Sequence, residues 1–85
     1  MHEYETVQLS YIAQAILDAP DQLNYIIQTA TNEYSSTDYM VALSFLGQAM
    51  SSKNITKSID DLKRSPNQLA AGVGLTLEWV INSRP

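Results

Sequence analysis

Few residues in this chain have the type and spacing needed for covalent chemistry. The only histidine, His2, stands apart from any nucleophile at motif spacing, so its imidazole has nothing to activate. Asp60 and Asp61 form an acidic pair, but neighbours on a helix point in different directions, and neither a glycine-rich loop nor metal-ligand spacing accompanies them. There is no cysteine, which removes disulfides, thiolate metal sites and cysteine nucleophiles. Catalytic, metal-ligating and cofactor-binding residues are therefore assigned as none, and the chain is not expected to be an enzyme. The chemistry left to it is recognition by charge and hydrogen bonding at a surface.

That charge is unevenly placed. The net charge is −4 over 85 residues, yet all five cations, Lys53, Lys57, Lys63, Arg64 and Arg84, follow Met50. Six of the nine carboxylates, Glu3, Glu5, Asp18, Asp21, Glu33 and Asp38, precede it. The first 52 residues carry −6, and the remaining 33, with five cations against three carboxylates, carry +2. Because the sign of a surface field selects its partners, the two halves are expected to face different surroundings. The six early carboxylates are the candidate binding surface for a protein partner, a basic one by complementarity.

The elements that must carry these charges are helices. Leu9, Ile12, Ala13 and Ile16 form a stripe that predicts a first helix over about residues 5–17. Asp-Ala-Pro-Asp at 18–21 ends it and opens the next, with Asp18 placed to cap the freed amides and Pro20 suited to a first turn. Leu23, Ile26, Ile27, Ala30 and Tyr34 repeat at i, i+3, i+4, i+7 and i+11, predicting a second helix over 20–34. Ser35 and Asp38 have the spacing of a capping box ahead of DYMVALSFLGQAM, residues 38–50, the most apolar window of the chain.

This central helix, about residues 36–50, carries Tyr39, Leu43, Leu46 and Met50 on one stripe and Val41 and Phe45 on another. Such a helix is usually surrounded by others or pairs with a copy of itself, and Val41 with Phe45 is the expected self-association face of a homodimer. Burying each large side chain contributes roughly 1.5 to 3 kcal/mol, enough for the stripe to supply much of a small core. Gly47 is expected to admit a close neighbour. Residues 51–54 break the helix, and a short fourth one follows over 55–64, with Ile59 and Leu62 inward. Ser65, Pro66 and Gln68 then form a start signal, with serine as cap and proline at the first helical position. Beyond it, Leu69, Val73, Leu77, Val80 and Ile81 suit one long helix, with Trp79 half-buried upon it. Alternatively, Gly72 and Gly74, each costing about 1 kcal/mol in a helix interior, divide the segment into a short helix over 66–71 and a last one from about residue 75. The fold class expected is all-α: a compact bundle of four to five short helices around a central apolar helix, in a single domain spanning residues 1–85.

If the glycines divide the end of the chain, residues 46–81 take the helix order of a helix-turn-helix unit. There LGQAMSSKNITKSIDDLKRSPNQL, residues 46–69, with an echo in TLEWVI, residues 76–81, and a looser one in IxxAPDQL, residues 16–23, resembles the helix-turn-helix antidote proteins of addiction modules, within the lambda-repressor-like group. That family places a small residue in the first helix of the motif and glycine in its turn; Ile59 and Lys63 stand at those places here. The resemblance implies a regulator that neutralises a protein partner, an antitoxin-like role, with DNA as the alternative ligand of a dimer. On that alternative Lys53, Lys57, Lys63, Arg64 and the Ser65 hydroxyl contact phosphate, while Asn67 and Gln68 read adenine by paired hydrogen bonds.

Hydrophobic residues make up 45% of the chain and charged ones 16%, the balance of a folded protein rather than a disordered tail. The first ten residues lack a basic region and an apolar run, and no later run approaches the ~20 apolar residues of a membrane span. No membrane partner and a cytoplasmic location are expected. An acyl-carrier role needs an Asp-Ser-Leu attachment sequence, and neither Ser35 nor Ser36 stands in one.

Overall fold

The computed structural model describes residues 3–33 and 36–84, the side chains of residues 3–5 excepted. Five α-helices and one 3-10 turn follow one another: α1, Glu3–Asp18; the 3-10 turn, Pro20–Gln22; α2, Leu23–Glu33; α3, Thr37–Met50; α4, Ile55–Lys63; and α5, Gln68–Ser83. No strand occurs among the described residues. The architecture is the all-α bundle that the apolar stripes predict.

α3 sits at the centre because it is the helix that packs against all four others. Tyr39, Ala42, Leu43, Leu46 and Ala49 are its buried face, while Met50 and Phe45 pack at the margin of the core. Of the expected self-association face, Phe45 packs against the core beside a small cleft lined also by Ala49, Leu62 and Ala70, and Val41 is half-buried. α5 is a second axis, burying Ala70, Val73, Gly74, Thr76, Leu77 and Val80 against α1, α3 and α4. Leu9, Ala13 and Ile16 of α1, Ala30 of α2 and Ile59 of α4 complete the same core.

The last segment is one helix, running through Gly72 and Gly74 without a break. Packing explains why. A Cβ built on Gly74 would stand 2.9 Å from both the Leu62 Cβ and the Lys63 backbone nitrogen, so the missing side chain is what lets α4 and α5 touch. Gly47, by contrast, faces only the Ile27 side chain at an ordinary 3.7 Å, and no close backbone approach depends on it. The tight crossing that α4 lacks a small residue to make, having Ile59 and Lys63, is made from the α5 side.

Helix starts also differ from the sequence expectations. α5 is capped by Asn67, whose Oδ1 accepts from the Leu69 and Ala70 amides at 2.9 and 3.3 Å. Pro66 disfavours helical backbone at Ser65. The Ser65 hydroxyl instead accepts from the Asn67 amide at 3.1 Å and braces the connection one step earlier. Asn54 caps α4 through the Lys57 amide at 3.1 Å. The N-cap of α3 is Ser36, without a side-chain bond, and Ser35 of the expected capping box, like Tyr34 of the second stripe, lies outside the described residues. Asp18 does not cap the 3-10 turn, whose N-cap Ala19 has no side-chain bond.

Candidate functional site

The acidic candidates are strung along the chain rather than gathered. Asp21 opens the turn before α2, Glu33 ends α2, and Asp38 lies in the first turn of α3; all are exposed. At 1.5 Å per residue α2 alone separates the first two by about 16 Å, so they frame a helix-length surface rather than a chelating cluster. Glu3 and Glu5 belong to α1, but their side chains lie outside the described residues, as does His2.

Between α1 and α2 runs a groove of about 210 Å³ edged by Glu33, with Ile12, Ile26 and Tyr25 among its lining residues. Tyr25 is 68% exposed, and Asp21 precedes it by one helical turn. A ring with a negative face beside two carboxylates suits a cationic side chain. Sequence patterning missed Tyr25, although its position off the buried stripe of α2 was a usable signal.

Asp18 has a different role. It ends α1, whose last turn has no basic residue, and Arg84 Nη2 donates to its Oδ1 at 2.6 Å. The guanidinium thereby supplies the positive charge that the carbonyl end of α1 favours, and it ties the first helix to the segment after the last.

Most of the basic candidates are likewise engaged within the fold. Lys57 pairs with Asp61 at 3.8 Å, Arg64 with Asp60 at 3.2 Å, and Lys63 of α4 with Glu78 of α5. Lys53, in the α3–α4 connection, is exposed and shows no ion pair among the described residues. Asn67 spends its carbonyl oxygen on the α5 cap, and the Ser65 hydroxyl takes part in the connection; Gln68 is exposed at the start of α5.

Another groove, of about 520 Å³, lies between α4 and α5 over Ile55, Ile59 and Ile81, with Asn54, Lys57, Asp60 and Glu78 at its rim. Its rim charges are mixed in sign and both of its carboxylates, Asp60 and Glu78, already hold a cation. No group of three potential metal ligands converges among the described residues, and no helix there is long and apolar enough to cross a membrane.

The remaining exposed apolar side chains are Val7 and Tyr11 on α1, Met40 on α3, and Leu75 and Trp79 on α5. Trp79 is 60% exposed rather than half-buried, because the α5 core face is filled by Val73, Leu77 and Val80. Compared with known protein families, characterised proteins and solved structures, the chain shows no significant match in any of the three.

Proposed function

We propose that this chain is a small non-enzymatic regulatory protein that binds and modulates a basic protein partner through the acidic surface along α2 and the start of α3, in the manner of an inhibitor or antitoxin. The observation that carries this reading is the distribution of uncompensated charge. Four of the five cations hold a carboxylate of the same chain, through Asp18, Asp60, Asp61 and Glu78. Asp21, Glu33 and Asp38 show no ion pair among the described residues, so the surplus they contribute lies on the α2–α3 side. A partner of opposite sign is steered there by the field, and Tyr25 in its groove offers an aromatic anchor of the kind that dominates interface energetics.

The test is affinity capture from cells of the source organism with the wild-type chain and with Asp21→Lys/Glu33→Lys/Asp38→Lys. A basic polypeptide retained by the first and lost by the second is the expected result. Equal retention by both, or retention of no basic polypeptide by either, removes the proposal.

DNA binding is the second reading, and the observation that favours it is the exposure of Lys53 and Gln68 on the same half as Lys57, Lys63 and Arg64. Against it, each of the last three stands beside a carboxylate that would also face the phosphates. A gel shift over several salt concentrations separates the two, since phosphate binding must strengthen as salt falls. Absence of retardation at low salt eliminates this second reading.

A further inference from the structure

Among the described side chains, the faces of α1 and α5 turned from the core are largely apolar, with no charge over residues 6–17 and 65–77. Thr6, Val7 and Ser10 of α1 line one groove with Leu75, Thr76 and Trp79 of α5. Tyr11 lies one turn beyond Val7 on the same side of α1. Asp18 meets Arg84 farther along, so the two helices run side by side in the same direction. Val7, Tyr11, Leu75 and Trp79 are 44%, 63%, 56% and 60% exposed. Residues 6–17 and 65–77 contain no charged side chain, and Glu78, beside Trp79, turns to Lys63 on the α4 side.

We infer that this α1–α5 face is the interface of a symmetric homodimer, with a second copy of the chain as its occupant. Charge selects that occupant. A highly charged protein or a nucleic acid would meet no complementary charge over residues 6–17 and 65–77. Two copies of a chain with net charge −4 repel one another through their acidic surfaces, and the uncharged stretches 6–17 and 65–77 add nothing to that repulsion. A two-fold contact also requires one self-complementary patch, and two adjacent helices presenting an i, i+4 pair each can pack on the same pair of a second copy as a four-helix layer.

The area is of the right order. Aromatic side chains bury roughly 150–250 Å² each, so the four apolar residues at these exposures present on the order of 400 Å². A standard stable interface buries about 800 Å² per partner, so a patch of this size suits a weak, concentration-dependent dimer. Tyr and Trp are the residue types that most often anchor such contacts. The proposal does not rest on the acidic surface of α2 and α3, which stays open on both copies.

Sedimentation equilibrium from about 5 µM to about 0.5 mM, a range that brackets micromolar self-affinities, tests it. The expected mass rises from 9.5 kDa toward twice that value, with the emission of Trp79, the only tryptophan, moving to shorter wavelength over the same range. Leu75→Glu, Tyr11→Glu and Trp79→Glu should each weaken self-association at least tenfold while keeping a cooperative thermal melt. Met40→Glu, at a comparably exposed site on α3, should leave it unchanged. Should Trp79→Glu fail to fold, Leu75→Glu and Tyr11→Glu decide alone. A mass of 9.5 kDa throughout the range, self-association that survives the patch substitutions, or equal weakening by Met40→Glu would overturn the proposal.

Discussion

Gly74 and Gly47 are both helical glycines, yet their neighbours assign them opposite values. In Gly47→Ala the new Cβ meets Ile27 at van der Waals distance, so the gain in helix propensity, about 0.5 to 1 kcal/mol, is expected to appear as added stability. In Gly74→Ala the Cβ meets the Lys63 backbone nitrogen at 2.9 Å, and backbone cannot swing aside as a side-chain tip can. The α4–α5 seam must open, at a cost of about 1 to 3 kcal/mol. Urea melts of the two variants should therefore move in opposite directions. Asn67 adds a third single-residue test. Its Oδ1 serves two amides of the first turn of α5, and Asn67→Ala should lower stability by about 1 kcal/mol in the same melts, whereas Ser65→Ala should cost less because it removes one turn contact.

At the scale of helices, α3 is organised by its faces. Leu46 is fully buried where the other helices converge, and Leu46→Asp places an unpaired carboxylate there, which should abolish the cooperative thermal transition followed by circular dichroism. Met40→Asp, on the outer face of the same helix, should keep that transition within a few degrees of wild type. The buried stripes of α1, α2 and α3 were legible in the sequence because an apolar side chain every three or four residues is a local signal. The continuity of α5 was not. Two glycines read locally as a break, and the approach of Leu62 and Lys63 to Gly74, from another element, has no local signal. Charge pairing divides in the same way. Lys57 with Asp61 and Asp60 with Arg64 have the i, i+4 spacing of a helix surface, whereas Lys63 with Glu78 and Asp18 with Arg84 exist only once the helices are assembled. Tyr25 and Trp79 lie off the buried stripes of α2 and α5, yet the sequence expectation placed Trp79 half-buried and gave Tyr25 no role.

Across the whole molecule, charge is arranged at some expense to the fold. Glu33 occupies the last residue of α2, where the carbonyl ends of the helix already concentrate negative potential, and no basic residue stands in that turn to offset it. Asp18 has the same position on α1 but is answered by Arg84. A carboxylate left opposed to its own helix is understandable where its charge serves a partner, and Glu33 edges the α1–α2 groove that also exposes Tyr25. Glu33→Lys should therefore separate the two roles. Replacing the anion by a cation at the helix end is expected to raise stability by about 0.3 to 1 kcal/mol, a gain read from thermal melts at low ionic strength that shrinks in ~1 M salt as screening sets in. The same substitution should reduce retention of the proposed basic partner by several-fold, mainly through a slower association rate, because charges at an interface rim act chiefly by steering. A variant that is more stable and binds less well would mark Glu33 as a residue held for recognition. If it is less stable, the carboxylate has a structural role; if it is more stable and binds equally well, the acidic surface along α2 is not where the partner docks.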